Sequence, residues 1–215
     1  MSEDTSHRDV GRFDRWADSY HESPVQRFVF GPLQDHALDC LATISPSPGS
    51  LLDIGCGTGQ LIGRAAARLG ECRLVGIDAS KDMVRVADSM RPAGLDATFL
   101  HAFAEALPFQ DSAFDAVVTT MSFHHWVDQP AALHEVVRVL MPGGVFVLAD
   151  ALPHGLFRFV CAPPWHGRFH RLPELEEMLA SAGLVLDSVS GVPGLGGFGG
   201  TVRVLTSRSA GTGDG

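Results

Sequence analysis

Residues 50–59, Ser-Leu-Leu-Asp-Ile-Gly-Cys-Gly-Thr-Gly, run a short apolar strand straight into three alternate glycines. Glycines there let the backbone turn sharply and pass close to a ligand that a Cβ would exclude. Gln60 to Leu69 follows as an alanine-rich helix, so the segment opens an α/β unit. The spacing is G-x-G-x-G, whereas the dinucleotide fingerprint needs G-x-G-x-x-G and position 60 is Gln. Asp53, on the strand just before the turn, is badly placed to welcome a pyrophosphate. It is well placed to hold a cationic α-amino group, directly or through the loop amides and water.

The rest of the chain alternates between the two periodicities. Arg73 to Ile77 is a second strand, and Ser80 caps a helix through Met90 with Asp82 in its first turn and Pro92 beyond its end. Ala97–His101 and Phe114–Thr120 are the third and fourth strands, the latter with the continuous apolar centre of a strand buried on both faces. Pro130 opens a helix to Leu140, and Pro142-Gly143-Gly144 stops it before strand Val145 to Ala149. Pro173 opens another to Ala182, closed by Gly183, and the last strands are Leu184 to Ser190 and Thr201 to Thr206. Such alternation predicts right-handed crossovers, a parallel doubly wound sheet, and ligands outside the carboxyl ends of its strands. Phe13 to Ala17 and Val25 to Ile44 read as two helices broken at Pro24, and Ser45-Pro-Ser-Pro-Gly49 as a linker into the sheet. Gly191 to Gly200 reads either as a flexible loop near the site or as a plain hairpin connection. The polar, glycine-rich end from Ser207 reads as frayed.

At 215 residues, with 45% hydrophobic residues, the chain supports one domain with a sizeable core. Its 16 basic and 25 acidic residues give a net charge of −9, and Lys81 is the single lysine. With no basic run, nucleic-acid binding and polybasic membrane anchoring are not expected. No apolar stretch approaches the roughly 18 residues of a membrane span, and the acidic N-terminus is unlike a signal peptide. Four scattered cysteines without a C-x-x-C pair read as reduced thiols in a cytoplasmic protein. No metal ligand set is expected, since His166 and His170 lack a third partner and sit beside Pro163, Pro164 and Gly167.

Asp78 ends the second strand, about twenty residues past the glycines, where a carboxylate can accept hydrogen bonds from both hydroxyls of a ribose. Taken together, Asp53-Ile-Gly-Cys-Gly-Thr-Gly59, Asp78, Ala104-Glu-Ala-Leu-Pro-Phe109 and Arg138-Val-Leu-Met-Pro-Gly-Gly144 resemble the motifs of class I S-adenosylmethionine-dependent methyltransferases. The likeness is to the small-molecule branch that includes the ubiquinone and menaquinone biosynthesis enzymes. Phe13-Asp-Arg-Trp-Ala-Asp-Ser-Tyr20 is similar to that branch's N-terminal segment.

The resemblance implies a Rossmann-like, seven-stranded doubly wound sheet of order 3-2-1-4-5-7-6, its last strand antiparallel. It implies N-terminal lid helices (1–46), a cofactor-binding core (50–207), an acceptor-cover segment (151–172) and a flexible tail (208–215). It implies S-adenosylmethionine as cofactor and S-adenosylhomocysteine as product. Gly55, Cys56, Gly57 and Gly59 would approach the methionine part, Asp78 and Ala79 the ribose, and Ala104 and Glu105 the adenine. Met121 and a lid residue, Tyr20, would complete the set. Phe103 stands where the family often has an acid, so it either removes an acceptor from the adenine amino group or stacks on the ring. The acceptor would be a small molecule methylated on O, N or C, with the enzyme acting alone or as a homodimer. His124 and His125, after the fourth strand, are the base candidates; contact with the acceptor and anchorage of the loop are the other readings. Asp150, Trp165 and Arg168 are candidates for holding the acceptor. The rival readings are a cofactor-fold scaffold without turnover and a nicotinamide-dependent oxidoreductase.

Overall fold

A computed structural model describes residues 26–152, 168–193 and 202–209. Helix Phe13 to Ala17, Tyr20, Trp165 and most of the acceptor-cover segment lie outside them. Seven strands form one sheet: β1 (Ser50–Ile54), β2 (Arg73–Asp78), β3 (Ala97–His101), β4 (Phe114–Thr120), β5 (Leu140–Ala151), β6 (Leu184–Gly191) and β7 (Val202–Ser209). Their order is β3-β2-β1-β4-β5-β7-β6, as expected. The pairs from β3 through β5 are parallel, and β7 runs antiparallel between β5 and β6.

Successive residues of β1 point to opposite faces, which divides its apolar run between two cores. Leu51 packs with Leu33, Leu38, Leu61 and Val118 under helices α1 (Gly31–Ile44), α2 (Gln60–Arg68) and α3 (Lys81–Met90). Leu52 and Ile54 pack with Phe146, Leu133, Val136 and Leu175 under α4 (Gln129–Val139) and α5 (Leu172–Ser181). Every residue of β1 is buried, so the strand that feeds the glycine turn has helices on both sides. The caps follow local chemistry: Ser80 Oγ accepts from Met83 N at 3.1 Å, and Asp128 accepts from Ala131 N at 3.0 Å ahead of Pro130.

Three segments differ from expectation. The helix expected from Val25 is a wide turn over Gln26–Phe30 followed by α1 from Gly31. Pro32 has no N–H to continue a regular ladder across the junction, so the helix restarts there. β5 begins at Leu140, not Val145: Phe114 pairs with Leu140 and Ala116 with Val145, so Met141 to Gly144 form a bulge inside the strand. Third, β7 continues past Thr206, with Ser207 opposite Phe146 and Arg208 opposite Val145. The tail expected at 208 is therefore strand through Ser209, whose hydroxyl donates to Met141 O at 2.8 Å. Polar side chains hid a strand whose ladder is made by backbone groups.

Candidate active site

The site forms where β1, β2 and β4 end. Gly55 N and Cys56 N both donate to Ile77 O, at 2.8 and 2.9 Å, which folds the glycine turn across the tip of β2. Asp78 fastens the same turn: its Oδ2 accepts from Gly57 N at 2.9 Å and its Oδ1 from Ser80 N at 2.8 Å. Gly55 has φ +78°, and a Cβ there would collide with the Ser122 side chain. Gly57 has φ +52°, and a Cβ there would enter open space. That space is a cavity floored by Gly55–Thr58 and walled by Asp78–Ser80, Ala102–Glu105, Thr120–Ser122 and His125–Val127, with Phe30 from the wide turn and Gln34 from α1 at its edge.

Asp53 lies beneath the loop, 1% exposed, and its Oδ1 has no hydrogen-bond partner among the described residues. Burial first, and the nearby Asp78 charge second, push its carboxyl up to about 8. The same burial pushes the Cys56 thiol up, which leaves it a protonated packing residue. The turn thus sets the Asp78 carboxylate at the cavity wall and the Asp53 carboxyl, protonated below about pH 8, beneath the loop, while three of its own amides are already spent on Ile77 O and Asp78. A donor or cation is welcome there and a pyrophosphate is not.

At the far wall, Phe103 faces the cavity 40% exposed, its ring edge-on to His101 at 5.6 Å. It is thereby available to stack on a planar ligand. Ala104 and Glu105 belong to a loop shaped by Arg138, whose guanidinium donates to Leu107 O at 3.0 Å and Phe109 O at 2.8 Å. This contact joins two of the motifs singled out above. Glu105 does not hold its carboxylate free; Oε1 accepts from Val127 N at 2.7 Å and Asp128 N at 3.1 Å.

The loop after β4 brings His125 and Trp126 to the cavity, with Trp126 Nε1 donating to Ser122 Oγ at 3.2 Å. His124 points behind the loop instead. Its Nδ1 lies 2.7 Å from Asp150 Oδ1, and its backbone N donates to Asp150 Oδ2 at 3.0 Å. Its ring stacks on Phe169 at 4.5 Å. Both groups are buried, so Asp150 anchors the loop rather than facing a ligand. Arg168 does likewise, giving its N–H to His124 O at 2.7 Å and its guanidinium to Val127 O at 2.9 Å. Gly59 packs against Phe99 and Ala87 and, like Asp53, His124, Asp150 and Arg168, is not among the cavity-lining residues.

The structure therefore brings together Gly55, Cys56, Gly57, Asp78, Ala79, Ala104, Glu105, Met121 and His125 of the expected set. It adds Phe30, Gln34, Ser122 and Trp126. Gln34 was legible as the lone polar residue on α1's buried stripe of Leu33, Ala37, Leu38 and Leu41.

Residues 51–144 match the family model described as a methyltransferase domain. Over those residues the chain is similar to methyltransferase domains. It is 39% identical over 111 residues to demethylmenaquinone methyltransferase of Thermus thermophilus, covering 51% of this chain and 50% of that protein. The chain spans about half the length of the first curated relatives that it matches. Among solved structures, a methyltransferase in complex with the Haloferax volcanii Trm112 methyltransferase activator superposes with a TM-score of 0.78 at 22% identity, over 92% of this chain and 97% of that one. The Burkholderia thailandensis 1,6-didemethyltoxoflavin-N1-methyltransferase, solved with 1,6-didemethyltoxoflavin and S-adenosylhomocysteine bound, gives 0.72 at 19% identity, over 98% and 92%.

Proposed function

We propose that the protein transfers the methyl group of S-adenosylmethionine to an O, N or C nucleophile of a small organic acceptor. The observation that carries this is the pairing of buried, partnerless Asp53 Oδ1 with a glycine turn whose Gly57 opens onto the cavity. A cationic amino-acid end fits there, whereas a dinucleotide's phosphates would meet the Asp78 carboxylate and already bonded amides. Asp78 would hold the ribose, Ala104 and the Phe103 ring the adenine, and Met121 the region of the sulfur.

When bound, the cofactor supplies a methyl group already activated by its sulfonium. The chain's task is then to hold the acceptor opposite the departing sulfur, and such positioning can contribute about 7–11 kcal/mol. His125 lines the cavity and is the residue we assign to take the acceptor's proton, where the acceptor must lose one. His124 is buried and does not line the cavity, so we assign it to bracing the loop through Asp150 instead. Trp126, Phe30 and the Ser122 hydroxyl offer mostly apolar walls with one polar handle, which suits a flat, weakly polar metabolite. The three described cysteines are free, consistent with a reducing cytoplasm.

The test is calorimetric titration with S-adenosylmethionine, S-adenosylhomocysteine and NADH, followed by an acceptor screen. Micromolar binding of the two sulfur compounds with methylation of an acceptor is expected. Binding of NADH alone would overturn the reading, and cofactor binding without turnover on any acceptor would favour a scaffold.

A further inference from the structure

Among the described residues lining the cavity, Gln34 has the environment least explained by the fold itself. It sits on α1 within a buried stripe of Leu33, Ala37, Leu38 and Leu41, is 9% exposed, and its Oε1 is fully buried with no hydrogen-bond partner among the described residues. An amide oxygen taken out of water and left unpaired is a cost that a leucine at the same position would not carry. Its side chain nevertheless borders the cavity. We propose, building on the cofactor reading above, that Gln34 Oε1 accepts a hydrogen bond from the α-ammonium of the cofactor's amino-acid end.

The sheet order fixes which part of the ligand Gln34 meets. α1 packs on β4, β5 and β7, on one side of β1, whereas Ala104 and Phe103 follow β3 on the other. The adenine side and the Gln34 side are therefore opposite ends of one cavity. Gln34 also approaches with the core that contains Leu51, Cys56 and Val118. Trp126 belongs to the core on the opposite face of the sheet, where the acceptor is expected. Between these limits lies the amino-acid end, beside the loop that covers Asp53. The Gln34 amide oxygen at that end, with the Asp53 carboxyl beneath the loop, makes a donor-seeking corner for an ammonium.

The experiment compares two ligands on the full chain by calorimetry. S-adenosylhomocysteine carries the amino-acid end, and 5′-methylthioadenosine lacks it. Gln34→Leu is expected to weaken S-adenosylhomocysteine about tenfold while leaving 5′-methylthioadenosine unchanged. Gln34→Glu, which keeps an acceptor, is expected to retain S-adenosylhomocysteine binding. Without ligand, Gln34→Leu should melt no lower than the wild type, because it removes an unpaired buried amide. Equal loss for both ligands, no loss for either, or a lowered melting temperature in the ligand-free variant would overturn the proposal. Loss in Gln34→Glu equal to that in Gln34→Leu would overturn it as well, since the amide would then be acting as a donor. If the wild type binds 5′-methylthioadenosine but gains nothing from the amino-acid end, this inference fails and the nucleoside site stands. If it binds neither ligand, the cofactor reading itself falls and takes the inference with it.

Discussion

Asp53 is the residue whose ionisation should be visible in the stability of the whole protein. Its carboxyl titrates near 8 when folded and near 3.8 when exposed, so between those values the folded protein holds a proton that the unfolded chain has lost. Its contribution is fully present below about pH 4 and is lost as pH rises toward 8. Urea midpoints measured from pH 4 to 8.5 should therefore fall more steeply for the wild type than for Asp53→Asn, which cannot ionise. The two neighbouring histidines separate by the same kind of reasoning. His125→Ala should leave stability nearly unchanged and lower kcat by about 10²–10⁴-fold with an acceptor that must be deprotonated. His124→Ala should lower the melting temperature instead, because it removes the side-chain partner of buried Asp150 Oδ1 and the ring stacked on Phe169. Steady-state assays at saturating cofactor beside thermal melts would distinguish them. Adjacent and identical in sequence, they could be told apart only when the turn at Phe123–His125 sent one ring to the cavity and the other to Asp150.

At the scale of elements, the loop from Ser122 to Asp128 is held from three directions. Asp150 at the end of β5 takes the His124 N–H, Glu105 takes the amides of Val127 and Asp128, and Arg168 bonds the carbonyls of His124 and Val127. Gln129, 2% exposed, completes the frame by donating to Phe123 O and Arg168 O while its Oε1 receives His170 Nε2. Removing one support leaves buried donors unpaired, so Asp150→Ala should cost on the order of 3 kcal/mol for its two partners at His124. Chemical denaturation would read that cost. S-adenosylhomocysteine affinity of the folded fraction should change little, because Asp150 does not reach the cavity. These polar supports explain why the sequence reading grouped loop-bracing residues with cavity-lining ones. Asp150, Arg168 and His124 are charged or titratable residues at strand and loop ends, where ligand-binding groups also occur, and no local pattern distinguishes a loop brace from a ligand contact. The glycine turn and the Ser80 cap were legible because each is marked by neighbouring residues, and Asp78 because it ends the strand that follows the turn.

Across the whole molecule, strand and helix alternation made the sheet readable, since each apolar run has the length and burial of its own element. What escaped were features paired over long sequence distances. The β5 bulge depends on β4 holding Phe114 against Leu140, and the end of β7 depends on β5 and β6 reaching it from either side. Ser207 and Arg208 read as tail because their side chains are polar, yet their backbones stand opposite Phe146 and Val145 of β5 and Leu186 and Val185 of β6. Arg208 also bonds Asp187 at 3.0 Å, and Ser209 ties to Met141 in the bulge. The exposed ion pair contributes little. The ladder contributes more, at about 0.5–1.5 kcal/mol per net hydrogen bond. A chain ending at Thr206 should thus be less stable than one ending at Ser209 by on the order of 2–4 kcal/mol, read as a drop in urea midpoint with little change in slope. Equal midpoints would mean that β7 draws its stability from Val202 to Thr206 alone. The truncation tests the sheet separately from the site, because the cavity is built at the ends of β1, β2 and β4, and residual S-adenosylhomocysteine binding in the folded fraction should persist in both chains.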